Sequence, residues 1–185
     1  MNSFGSKAMI IKAIITDIDG VLTDGSIGYG CGSDDEIKFF NVKDGSGFQL
    51  ARHAGIKIAT ISGRVSKANR RRLTELHFDA IMEKVTSKAD AIHELCKEWG
   101  IEPENVMYIG DDLIDLPAFN VVGLKVAPSD AVEMVRERAD WVTNAPGGHG
   151  CAREAIERLL HEQGIYDSIV ERYIGALVSR KGSQQ

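Results

Sequence analysis

Four places in the chain gather side chains that can move protons or hold anionic oxygen. Asp17 and Asp19 follow an apolar run (Ile10, Ile11, Ala13, Ile14, Ile15) and precede Gly20. Ser62-Gly63-Arg64 ends a second such run that starts at Ile56, and Lys88 opens a helical stretch. Gly110-Asp111-Asp112-x-x-Asp115 closes a third run that starts at Val106. Carboxylates can act as acids, bases or nucleophiles, and a lysine supplies fixed positive charge. A glycine lets main-chain amides come close to an anion. Each group alone has a plainer reading. Asp17 and Asp19 could form a solvated acidic turn, and the acids after Gly110 could be a helix cap and its first turn. The Ser62 hydroxyl could bond its own backbone. Lys88 fits the plain readings least, because a helix start disfavours a cation.

The elements that must position these groups alternate between strand and helix. Apolar runs without period-two polarity fit strands buried on both faces of a parallel sheet. The pattern predicts strands ending near Thr16, Ser62, Met82, Gly110, Val126 and Val142. It predicts a loop entering a short helix within 41–54, with Asp44 or Ser46 available as its cap, and helices over 66–76, 87–99, 113–120 and 131–138, with Ser87 capping the one at 87–99. This βα order implies a doubly wound parallel sheet with helices on both faces. Ligands of such sheets bind beyond the strands' carboxyl ends, where the four groups fall. A Gly-rich piece flanked by Ile27/Tyr29 and Ile37/Phe39 reads as a hairpin over about 26–39, a candidate oligomer contact or cover for the site. Residues 1–9 read as a mobile start, 10–163 as one domain, and 164–185 as a helical tail with Ile169, Val170, Tyr173, Ile174 and Leu177 on one face and a frayed end.

Composition narrows the classes. The 185 residues suit one domain, and 43% hydrophobic with 26% charged residues is ordinary for a globular protein. A net charge of −5 gives no support to nucleic-acid or membrane-surface binding. No run reaches the length of a membrane span. Cys31, Cys96 and Cys151 are odd in number and lack zinc spacing, so they read as unpaired thiols in a cytoplasmic protein.

Taken together and in this order, DIDGVLTDG at 17–25, TISGR at 60–64, Lys88 in SKADA and YIGDDLIDLP at 108–117 resemble the haloacid dehalogenase superfamily of phosphatases. The resemblance implies a phosphoryl transfer with defined roles. Asp17 would attack phosphorus and form an aspartyl-phosphate, and Asp19 would protonate the leaving oxygen and then activate water. Several carboxylates and a phosphate dianion need a cation between them, so Mg²⁺ is implied, held by Asp17, the Asp19 carbonyl and Asp111. Asp112 and Asp115 would surround or orient it. Lys88 would supply fixed charge, and Ser62 with the Gly63 amide would bind phosphoryl oxygens.

The chain has no segment long enough for a separate cap domain. Its hairpin, the F-x-V-x-DG segment at 40–45, SGR-x-SKA at 62–68 and PGGHGCARE at 146–154 resemble the capless, tetrameric subgroup that acts on 3-deoxy-D-manno-octulosonate 8-phosphate in lipopolysaccharide precursor synthesis. That likeness implies a homotetramer and a small sugar-acid phosphate as substrate. Arg64 and Lys67 suit the substrate carboxylate, and Arg153 could come from an adjacent chain. Related phosphatases of nonulosonate 9-phosphates often carry Glu at the position of Arg64. A non-catalytic oligomerisation module is the reading from a different class, and it needs none of Asp17, Asp19, Lys88 and Asp111.

Overall fold

The structure, a computed structural model, describes residues 3–30 and 36–182. Six strands form one parallel sheet: β1 (Ala13–Thr16), β4 (Lys57–Ile61), β5 (Ala80–Met82), β6 (Val106–Ile109), β7 (Leu124–Ala127) and β8 (Trp141–Val142). Their spatial order is β5-β4-β1-β6-β7-β8, so the chain builds outward from β1 on one side and then restarts on the other. The register sets Thr16 beside both Thr60 and Ile109. The carboxyl ends of β4, β1 and β6 therefore lie side by side, and a crevice forms where the winding reverses.

Both faces of the sheet are covered, as the apolar runs required. Along β1 the side chains alternate: Ile14 joins one core, while Ala13 and Ile15 join the other. The first core takes Phe48, Leu50 and Ala51 from α2 (Val42–His53), Leu73 from α3 (Lys67–Glu75) and Ala152, Ile156 and Leu159 from α7 (Cys151–Glu162). The second takes Ile92 and Leu95 from α4 (Lys88–Trp99), Phe119 from α5 (Leu116–Phe119) and Val135 from α6 (Glu133–Arg138). The expected doubly wound α/β architecture is the observed one.

Local signals explain most helix ends. Ser66 and Ser87 cap α3 and α4, each accepting from the amide three residues on. Gly100 ends α4 in the left-handed region at φ 64°. The cap of α2 differs from expectation. Asn41, not Asp44 or Ser46, takes that position and accepts from the Lys43 amide at 2.9 Å. Asp44 is buried and turns instead to the start of α7, where its Oδ1 accepts the Arg153 amide at 2.8 Å. Gly150, which precedes α7, has no side chain to cap it, so the carboxylate arrives from α2.

The chain's start also departs from the expected mobile segment. Ser3–Ala8 form α1, Ala8 is fully buried, and its carbonyl accepts from Gln163 at 3.0 Å. Met1 and Asn2 lie outside the described residues. At the other end α8 spans Tyr166–Gly182. Ile169 is buried there and Val170 and Tyr173 pack on the core, while Ile174, Leu177 and Val178 stay exposed. Of the expected frayed end, 183–185 lie outside the described residues. The hairpin is present as two short antiparallel strands, β2 (Gly28–Tyr29) and β3 (Glu36–Ile37). Residues 31–35, Cys31 among them, lie outside the described residues. Cys96 and Cys151 are buried free thiols.

Candidate active site

Three of the four sequence groups converge at the carboxyl ends of β1 and β6. Asp17 follows β1, its amide bonded to the Ile109 carbonyl at 3.0 Å. Lys88, in the first turn of α4, places Nζ 3.1 Å from Asp17 Oδ2 and 2.6 Å from Asp115 Oδ1. All three side chains are buried. An ammonium taken this far from water needs opposite charge close by, and here it has two carboxylates. The helix-start lysine that fitted the plain reading poorly thus has its explanation.

Asp115 organises the group. Its Oδ1 accepts from Lys88 and from the Tyr108 hydroxyl at 2.7 Å. Its Oδ2 accepts the amides of Asp111 at 2.9 Å and Asp112 at 3.1 Å. Four donors occupy its acceptor sites, so Asp115 fixes the loop and the lysine. Asp111 is different: its Oδ1 is buried and accepts no hydrogen bond among the described residues. One carboxylate oxygen each from Asp17, Asp111 and Asp115 lie within 4.8 Å of one another. An all-oxygen cluster with an unmatched buried oxygen fits a hard divalent cation such as Mg²⁺. With Asp115 already engaged, Asp111 and Asp17, the latter also paired with Lys88, are the donors left to face a cation. Asp112 is exposed, and its carboxylate caps the short turn Leu113–Asp115 through the Leu113 amide.

The electrostatics agree with a site built for a cation. Burial, followed by repulsion from Asp115 and Asp17, pushes the Asp111 carboxyl up to about 8. Burial raises Asp17 to about 6 although Lys88 opposes it. Lys88 itself is pulled down by burial, but Asp17 and Asp115 outweigh this and hold it above its ordinary value. The glycines leave room for the cluster. A Cβ on Gly20, which sits at φ +94°, would lie 2.0 Å from Asp111 Oδ2. A Cβ on Gly147 would lie 1.9 Å from the Gly20 carbonyl, so the 146–150 loop packs directly on the turn after Asp17.

Asp19 stands at the edge of this cluster with a second set of partners. Lys38 Nζ bonds its Oδ1 at 2.8 Å, and Arg64 Nε lies 3.6 Å from its Oδ2. Arg64 also pairs with Glu36 of the hairpin. Ser62 follows β4 and is buried, its Oγ accepting the Arg64 amide at 3.1 Å, while Gly63 is exposed beside it. Lys67 opens α3 and lines an open surface cavity of about 440 Å³ with Val65, Arg70 and Arg71. The Arg153 guanidinium pairs with Glu157 at 2.6 Å on the same helix, and no contact among the described residues ties it to the Asp17 cluster of its own chain. Tyr108, Lys38 and Glu36 were not singled out from the sequence. For the last two a signal existed, since reading Ile37 and Phe39 as one apolar face puts residues 36 and 38 on the other.

With this geometry in place, the known proteins are informative. A family profile described as haloacid dehalogenase-like hydrolase matches residues 57–154. The chain is 42% identical over 162 residues to the 3-deoxy-D-manno-octulosonate 8-phosphate phosphatase of Escherichia coli K12, covering 88% of this chain and 86% of that one. This chain belongs to the haloacid dehalogenase-like hydrolases. Among solved structures of this family, the 3-deoxy-D-manno-octulosonate 8-phosphate phosphatase of Moraxella catarrhalis, in complex with magnesium, phosphate and KDO, superposes with a TM-score of 0.89 at 37% identity, over 94% of this chain and 99% of that one. The cobalt-bound form of the Haemophilus influenzae enzyme gives 0.83 at 39% identity, over 86% and 93%.

Proposed function

We propose that this haloacid dehalogenase-like hydrolase is a Mg²⁺-dependent phosphatase that cleaves 3-deoxy-D-manno-octulosonate 8-phosphate to the free sugar acid and phosphate, in lipopolysaccharide precursor synthesis. The observation that carries the reading is the meeting of Asp17, Lys88 and Asp111 at adjacent strand ends, with a buried Asp111 oxygen left without a donor among the described residues. An oligomerisation module would have no use for it. Relatives that carry this name align over most of both chains.

Asp17, Asp111 and the Asp19 carbonyl would hold Mg²⁺, which when bound neutralises carboxylates and phosphoryl oxygens so that an anionic nucleophile and a dianion can share the pocket. Asp17 attacks phosphorus; the bond to the sugar oxygen breaks, and that oxygen takes a proton from Asp19. Water then attacks the aspartyl-phosphate, gives its proton to Asp19, and phosphate leaves with Asp17 restored. Lys88 holds the nucleophile's rotamer and faces the phosphoryl group with fixed charge. Ser62 and the Gly63 amide bind phosphoryl oxygens.

Arg64 and Lys67 bind the substrate carboxylate, which would replace Glu36 as the partner of Arg64. Tyr29, Ile37, Phe39 and Val42 are each more than half exposed, which supports a homotetramer assembled through the hairpins, with Arg153 serving a neighbouring subunit. No helix among the described residues is long and apolar enough to cross a membrane, in keeping with work in the cytoplasm. Phosphate release with Mg²⁺ from octulosonate 8-phosphate and nonulosonate 9-phosphate tests the reading. The 8-phosphate should be preferred, and Asp17→Asn should abolish turnover while the fold is kept. Wild-type rates in that variant would refute the nucleophile, and a preference for the 9-phosphate would refute the substrate.

A further inference from the structure

The hairpin turns two charged side chains inward, Glu36 and Lys38, and Lys38 has no part in the scheme above. Alternation along β3 and the residues after it separates two faces. Ile37 and Phe39 are 52% and 76% exposed, whereas the side chain of Lys38 has no exposed surface. Its ammonium bonds Asp19 Oδ1 at 2.8 Å and reaches the Ser26 carbonyl at 3.5 Å. Glu36, on the same face as Lys38, pairs with Arg64, whose Nε approaches Asp19 Oδ2. That Oδ2 is buried and accepts no hydrogen bond among the described residues.

Burying a lysine side chain completely is costly unless its charge is matched, and here the match is one carboxylate oxygen and one carbonyl. The terminal torsion of an aspartate is broad and roughly two-fold, so a carboxyl left alone samples many orientations. We propose that Lys38 is a positioning residue for Asp19: by fixing Oδ1 it aims Oδ2 at the oxygen of the departing sugar. This rests on Asp19 being the proton donor of the phosphatase reading. The hairpin would then have two jobs on two faces, with apolar residues outward and a clamp on the acid inward.

In the first half-reaction the bond from phosphorus to the ester oxygen breaks as the bond to Asp17 forms. The leaving oxygen keeps the electron pair and needs a proton in proportion to its basicity. A misaimed acid therefore harms alkyl esters most and p-nitrophenyl phosphate least. The decisive measurement is kcat/KM, which stops at the first irreversible step, for a series of substituted phenyl and simple neutral alkyl phosphates with Mg²⁺. Neutral esters leave Lys38 no substrate carboxylate to bind. The proteins are the parent, Lys38→Met, Lys38→Arg, Asp19→Asn and the Lys38→Met/Asp19→Asn double variant.

Lys38→Met should lose about 10- to 100-fold on alkyl phosphates, part of what a general acid supplies, and less than about 3-fold on p-nitrophenyl phosphate. The plot of log kcat/KM against leaving-group pKa should steepen, and Lys38→Arg should regain most of the loss. In the double variant the Lys38 change should add nothing to Asp19→Asn. An equal loss on every ester, no loss, or additive effects would overturn the role of Lys38 while a Mg²⁺-dependent parent leaves the phosphatase reading standing. A parent without Mg²⁺-dependent turnover overturns both. If Lys38→Met does not fold by circular dichroism, Lys38→Gln is read by the same slope.

Discussion

Replacing Asp111 by Asn should make the metal-free protein more stable at neutral and alkaline pH while ending its activity. The carboxyl of Asp111 stands at about 8 in the folded chain against 3.8 for the ordinary group. A carboxyl raised on folding binds its proton in the native state and releases it in the unfolded state between those two values. The native state then binds more protons, so stability falls as pH rises from about 4 to about 8 and levels off above. One such group costs about 1.4 kcal/mol per pH unit. The slope halves at the group's own midpoint, so over pH 6 to 8 the fall is about 2.3 kcal/mol, and solvent reaching the partly exposed side chain trims it to about 2 kcal/mol. For a domain of this size this is a fall of roughly 4–8 °C in Tm.

Thermal unfolding in EDTA from pH 6 to 8 measures the slope, and the same series in saturating Mg²⁺ measures its reversal. Mg²⁺ at about 100 times its Kd should restore about 2.7 kcal/mol to the parent and close to nothing to Asp111→Asn. Parent Tm in EDTA should fall with pH, and the Asn variant should lie above it at pH 8 with a shallower slope. A variant less stable than the parent at pH 8 in EDTA, or equally stabilised by Mg²⁺, would refute both the cation site and the repulsion argument.

Two further substitutions probe the frame around the site. Gly20→Ala places a methyl 2.0 Å from Asp111 Oδ2 at a positive φ. It should cost at least about 1–2 kcal/mol in strain and weaken Mg²⁺ binding measured by calorimetry; unchanged affinity would refute the close approach. Asp44→Ala removes the carboxylate that caps α7 from a neighbouring helix and should cost about 1–2 kcal/mol in urea unfolding. Asp44→Asn keeps an accepting oxygen and should retain most of that stability, so equal losses in both variants would refute the cap.

The strand ends were legible because each apolar run is buried on both faces and stops at Asp, Ser or Gly, which marks where the sheet gives way to a turn. The helix starts at Ser66 and Ser87 were legible for a similar reason, since their caps act within three residues. Interactions between segments remote in sequence were hidden. Asp44 looked like a cap for its own helix, but Asn41 holds that place and Asp44 serves an amide 109 residues away. Arg64 suits a carboxylate by residue type, but no local pattern couples it to Glu36, the carboxylate it pairs with in the structure. Asp111 and Asp115 share one motif and one residue type, so their different jobs could not be read from type or spacing. The family resemblance assigns them different places, and the physical difference is in the donors: four for Asp115, and none for Asp111 Oδ1 among the described residues.

That count also explains how one short motif both builds and arms the pocket. Asp115 spends its acceptors on two amides, a phenol and an ammonium, which fixes where Asp111 and Lys88 stand. Asp111 can then keep an oxygen without a hydrogen-bond partner among the described residues, at a strand end where burial and three other carboxylates oppose its charge. A rigid loop is what allows this. If Asp111 could swing, its carboxylate would turn to water or to Lys88, the repulsion would relax, and the affinity for a cation stored in that repulsion would be lost.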